Sequence, residues 1–93
     1  MADERTFVWD DTKAGLNLAK HGVPFEAAVE VFADAAMLVA PDLRHDYGEA
    51  RFVAVGEVDG IVLSLVFADR ETETRIISAR LASRKERSRY GDR

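Results

Sequence analysis

The sequence predicts a small α+β protein: one antiparallel sheet, two N-terminal helices on one of its faces and a C-terminal helix, in the order βααββββα. Three observations carry this. The first third repeats its apolar residues at helical spacing. Residues 49–69 read as two strands around Asp59-Gly60, a two-residue hairpin signal. Ser83-Arg84-Lys85-Glu86 has the form of a capping box ahead of a polar, basic end. Residues 1–93 are read as one domain, long enough to bury a core without staples. Cysteine is absent, which excludes a disulfide framework, a thiolate metal site and a thiol nucleophile.

Phe7-Val8-Trp9 is a short apolar segment suited to a first strand. Asp10 or Asp11 then stands where a helix N-cap accepts from orphan N–H groups. The helix over 12–21 stops at Gly22, a residue that tolerates the left-handed conformation beyond a helix end. Pro24 opens the second helix, where its missing N–H costs little, and Phe25, Ala28, Val29 and Phe32 form its apolar stripe. From Met37 the period changes to strand: 37–40 ends at Pro41, a polar loop covers 42–48, and strands follow over 49–58, 61–69 and 74–81. A final helix starts at Ser83.

The Asp59-Gly60 turn sets a register in which Val58 faces Ile61. Because side chains alternate across a sheet, Phe52, Ala54, Val58, Ile61, Leu63, Leu65 and Phe67 share one dry face, which the two N-terminal helices must cover. The opposite, wet face holds Glu49, Arg51, Val53, Val55, Val62, Ser64, Val66, Ala68 and Arg70, with Glu49 opposite Arg70. An odd-length loop around 71–73 puts Ile77, Ala79 and Leu81 into the dry core and Ser78 and Arg80 on the wet face. An even loop would bury the Arg80 charge against Leu63, at a cost of several kcal/mol.

The charge is divided. Residues 1–69 hold 5 Lys/Arg against 13 Asp/Glu, and residues 70–93 hold 8 against 4, within a net charge of −4. An acidic body with a basic end suits two partners of opposite sign; a solvated, mixed-charge helix is the plainer reading. The arginines of the wet face are equally open to two readings, cross-strand ion pairs or an anion site, since guanidinium groups bind phosphate bidentately. RNA cleavage at such a site also needs a base and an acid; His45, His21 and Glu49 are the candidates. His45 lies in the loop leading to Arg51 and is either a bystander or a reactive group. His21 in a last helical turn is accounted for as a cation complementing the helix dipole. Tyr90 stands one helical turn after Glu86, placed either to stack on RNA or to pack on the domain. No spacing forms a metal cage and no Gly-rich phosphate loop occurs.

Phe7-Val8-Trp9-Asp10, Lys13, Asn17, Lys20-His21-Gly22-Val23, Phe25-Glu26-Ala27-Ala28 and Val31-Phe32 resemble the opening of the BrnT toxin family. The later segments agree in order and spacing: Asp42 and His45, Glu49-Ala50-Arg51-Phe52, Arg75-Ile76-Ile77-Ser78-Ala79-Arg80, Arg84-Lys85-Glu86-Arg87 and Tyr90. The resemblance implies a RelE-like fold and a ribonuclease toxin of a type II toxin–antitoxin pair that inhibits translation. It implies cleavage without metal or other cofactor, by basic side chains on a sheet face. The implied partner is BrnA, a ribbon-helix-helix antitoxin through which the complex reaches operator DNA. The implied substrate is mRNA, free or on the ribosome.

Carried onto this chain, the family positions are His45, Glu49, Arg51, Arg70 and Arg80, with Lys20, Ser78, Arg84, Lys85 and Tyr90 as RNA contacts. Glu49 or His45 would be the base for the 2′-hydroxyl, and Arg51, Arg70 and Arg80 would stabilise the phosphorane. The acidic surface would receive a basic antitoxin segment. The alternative is a non-catalytic module, its arginines clamping a partner's carboxylates in a co-repressor complex. The start Met1-Ala2-Asp3-Glu4-Arg5 lacks the pattern of a secretory signal, and the apolar run at 61–68 is too short to span a bilayer, so a cytoplasmic protein without membrane contact is expected.

Overall fold

The computed structural model describes residues 5–44, 48–70 and 72–91. Helix α1 (Asp11–His21) begins where the Asp10 side chain accepts from the Lys13 N–H at 3.0 Å. It ends at Gly22, whose φ of 71° lets its N–H reach the Leu18 carbonyl. Pro24 precedes α2 (Phe25–Ala28), which tightens into a 3-10 helix over Val29–Ala33. That change alters the expected stripe. Phe25, Ala28 and Val31 are fully buried, at the spacing of three that a 3-10 helix brings onto one side. Val29 and Phe32 remain partly buried against the same core.

Strands β1 (Thr6–Val8), β2 (Leu38–Pro41), β3 (Arg51–Val58), β4 (Ile61–Arg70) and β5 (Glu73–Leu81) form one sheet in the order β1-β5-β4-β3-β2, followed by helix α3 (Arg84–Gly91). The element order is the expected one, but the sheet is mixed: β1 runs parallel to β5. Hairpin connections force antiparallel pairing. The strand at the start of the chain is free of that constraint and adds to the outer edge of β5. Trp9, expected to be the last strand residue, lies just past β1 and packs edge-on against Phe25 at 5.9 Å. Among the described residues, no helix is long and apolar enough to cross a membrane.

The β3–β4 register is the one set by the turn, with Val58 opposite Ile61 and Phe52 opposite Phe67. Asp59 and Gly60 both take positive φ. Ala54, Leu63, Leu65 and Phe67 are buried under the helices, and Phe32 packs edge-on against Phe67. Ile61 and Leu81, expected in the dry core, are more than half exposed because the helical layer stops short of that end of the sheet.

In β5 the expectation needs a larger correction. Arg70 pairs with Glu73, so only two residues separate the strands, and the loop is even. The change of parity occurs inside the strand instead. Val66 pairs with Ser78 and Phe67 with Ile76, leaving Ile77 as an extra residue in a β-bulge. Ile76 therefore enters the core in place of Ile77, Ala79 and Arg80 keep the faces expected of them, and Arg75 turns onto the face opposite the N-terminal helices.

Candidate active site

The face turned away from α1 and α2 is built of cross-strand rows. Arg51, Ala68 and Arg75 form one row, Val53, Val66 and Ser78 the next, and Val55, Ser64 and Arg80 a third. This face is not open throughout. After β5 the Ala82 N–H donates to the Val62 carbonyl, and α3 then crosses the sheet until the Tyr90 hydroxyl donates to Asp34 Oδ2 near the start of β2. Val55 and Ser64, which a bare sheet would leave wet, are consequently buried.

At one end of the face Glu49 gathers three arginines. Arg51 Nε donates to Oε2 and Arg70 Nη2 to Oε1, each at 3.3 Å, and Arg75 Nη2 donates to Oε2. Ala68 makes this convergence possible: it is buried between Arg51 and Arg75, and its methyl leaves room for both long side chains. Partial removal from water pushes the Glu49 carboxyl up. The bond from Arg70, the charge of Arg75, and the bond and charge of Arg51 outweigh this and hold it below the ordinary value of 4.5. Glu49 is thus a fixed anion.

Arg80 lies four β4 residues along the sheet from the Arg51–Arg75 row, or about 13 Å at strand rise. Its guanidinium grips Glu86 of α3 with two bonds, Nη1 to Oε1 at 2.7 Å and Nη2 to Oε2 at 3.1 Å. Glu86 also accepts from Ser64 Oγ at 3.0 Å and from the Ser83 N–H at 2.8 Å, while its own N–H donates to Ser83 Oγ, completing the capping box. Burial pushes this carboxyl up, but the Arg80 bonds and charge, the Ser83 N–H and Ser64 more than offset it, leaving it at about 2.

Between the two arginine groups opens a cleft of about 550 Å³, floored by Val53, Ser64, Val66 and Ser78. Arg80 and Glu86 form one wall. Asp42 and Arg44, joined by two hydrogen bonds of 2.8 and 2.9 Å, form another, and His21 closes the side nearest α1. A backbone clamp positions α1 here: Asn17 is buried, its Nδ2 donates to the Ala79 and Val23 carbonyls, and its Oδ1 accepts from the Ala79 N–H.

Of the residues expected to form a site, Glu49, Arg51 and Arg70 are together, whereas Arg80 and Ser78 belong to the cleft. His45 lies outside the described residues. Lys20 borders a shallower hollow beside His21, with Lys13, Ile77 and Ser78. Arg84 and Lys85 are exposed on the first turn of α3. Tyr90 is half-buried and bonded to Asp34, the packing placement. Arg75 and Arg44 went unrecognised as site residues. The bulge that places Arg75 leaves no glycine or proline as its mark, and Arg44 joins the wall through its pairing with Asp42. Among the described residues, no group of three or more His, Cys, Asp or Glu could hold a metal ion.

No curated protein matches the sequence significantly. A family model does: residues 9–86 match the one described as the ribonuclease toxin, BrnT, of type II toxin–antitoxin systems. That span runs from the end of β1 to the carboxylate that grips Arg80. It takes in the cleft, both arginine groups and the clamp on α1, and the chain belongs to the BrnT family of type II ribonuclease toxins.

Proposed function

We propose that the chain cleaves RNA without a metal ion, by in-line attack of a ribose 2′-hydroxyl on the adjacent phosphorus. The 2′-oxygen–phosphorus bond forms and the phosphorus–5′-oxygen bond breaks. A base takes the 2′ proton, an acid supplies one to the 5′-oxygen, and the products carry 2′,3′-cyclic phosphate and 5′-hydroxyl ends. The observation that carries this reading is the cleft itself. It sets a guanidinium, Arg80, beside the Ser64 and Ser78 hydroxyls on a rigid sheet face where charge develops on the phosphoryl group. Arg51, Arg70 and Arg75 would hold a neighbouring phosphate, since about 13 Å is too far for one phosphate to touch both groups. Glu49, whose oxygens are occupied by arginines, serves best as their organiser; as a base it would first have to release those bonds. His45 is the other base candidate.

In this reading the substrate is mRNA, free or on the ribosome, and its cleavage stops translation. Lys20, Arg84 and Lys85 extend the contact with the strand. The antitoxin is a ribbon-helix-helix protein whose basic segment covers the acidic body and closes the cleft, linking the complex to operator DNA.

One observation favours a second, non-catalytic reading: each arginine group already holds a carboxylate, Glu49 or Glu86, as it would a partner's. Arg80→Ala separates the two. The enzyme loses at least ~100-fold in RNA cleavage, measured with chelator present and by the cyclic phosphate ends, while keeping its fold and antitoxin. In the module reading the variant loses antitoxin affinity, and neither it nor the wild type cleaves RNA.

A further inference from the structure

A reaction that moves two protons needs groups able to hold and release them near neutral pH, and the walls of the cleft narrow the choice. Its titratable side chains are His21, Asp42 and Glu86, apart from the two arginines. Glu86 is bonded by Arg80, Ser64 and Ser83. Asp42 has a side chain only 1% exposed, with Arg44 bonded to both of its oxygens. Each carboxylate would have to break an ion pair to take up a proton. His21 brings to the lining an imidazole, whose ring nitrogens can both donate and accept a proton.

The placement of His21 is built into the fold. It is the last residue of an eleven-residue helix, stopped there by the left-handed Gly22. Asn17, one turn earlier, binds both the N–H and the carbonyl of Ala79, the residue between Ser78 and Arg80. His21 therefore lines the cleft together with Ser78, Ala79 and Arg80 of β5. The charged groups around it are Lys13 and Lys20 of its own helix, Arg80 of β5, Glu86 of α3, and Asp42 and Arg44 after β2.

We propose that His21 is a catalytic residue of this cleft, the general acid that protonates the departing 5′-oxygen while Arg80 holds the phosphate. The proposal rests on the cleavage reading above and supplies its acid.

The test pairs His21→Gln with two substrates, ordinary RNA and the same RNA with a bridging 5′-sulfur at the scissile position. A thiolate leaves without a proton, so a missing general acid no longer matters. The variant is expected to lose ~100-fold or more on ordinary RNA and to approach the wild-type rate on the sulfur substrate. Melting temperature and antitoxin binding should be unchanged. A loss of less than about tenfold on ordinary RNA, or a larger loss that sulfur does not rescue, overturns the proposal while the cleavage reading stands. Wild-type protein that cleaves neither free nor ribosome-bound RNA overturns both.

Discussion

Glu86 does two tasks with one carboxylate: it caps its own helix through the Ser83 N–H and it pairs with Arg80 in one wall of the cleft. The first was legible in Ser83-Arg84-Lys85-Glu86, because a capping box is local. The second was not, since it joins α3 to strands β4 and β5 through space. The sign of its contribution follows from its pKa, which falls from 4.5 to about 2 on folding. A depressed carboxylate stabilises the fold fully above its unfolded pKa and loses that stabilisation as pH falls through its folded one. Glu86→Gln should therefore cost ~1–2 kcal/mol at pH 7. The deficit should shrink below about pH 4.5 and be gone near about pH 2. Urea denaturation of both proteins across that range checks it; a deficit independent of pH would mean that the ionic bond contributes nothing.

Between elements, the parity of β5 decides which side chains reach the site. The β3–β4 pairing was legible because Asp59-Gly60 leaves one register open. Excluding a buried arginine predicts the face of Arg80 but not the route by which the strand reaches it. In place of the expected odd loop, a bulge at Ile77 changes the parity and carries Arg75 onto the same face. A bulge obeys the same energetic demand as an odd loop, so excluding one buried charge cannot distinguish them. Asn17 then joins α1 to this strand through the Ala79 backbone. Asn17→Ala leaves the buried N–H and carbonyl of Ala79 without these partners, and should cost ~2–4 kcal/mol in a denaturant titration. A loss under about 0.5 kcal/mol would mean that α1 is held to β5 by other contacts.

Over the whole molecule, the divided charge acquires a place. The stretch 70–93, with 8 Lys/Arg against 4 Asp/Glu, contains β5 and α3, and both border the cleft. The net charge of −4 therefore understates the attraction available to a polyanion at this face. If two phosphates are bound, one by each arginine group, affinity for a single strand should fall roughly 5–10-fold for a fourfold rise in salt. Fluorescence anisotropy with a 2′-deoxy, uncleavable RNA analogue measures this. A salt-independent affinity would exclude phosphate contact as the basis of binding.

Periodicity, caps and one two-residue turn determined the element order, the β3–β4 register, the apolar face and the arginine-bearing face. All of these are decided within a few residues along the chain. Family membership was likewise legible, as motifs in order, without knowing which of their side chains meet. The tertiary structure alone decided the parallel β1, the bulge, the pairing of Glu86 with Arg80 and the gathering of Arg75 with Arg51 and Arg70 around Glu49. It also brought His21, Asp42 and Arg80 to one cleft. These depend on which segments, far apart in sequence, compete for the same edge, volume or charge, and that competition is resolved only when the chain has closed on itself.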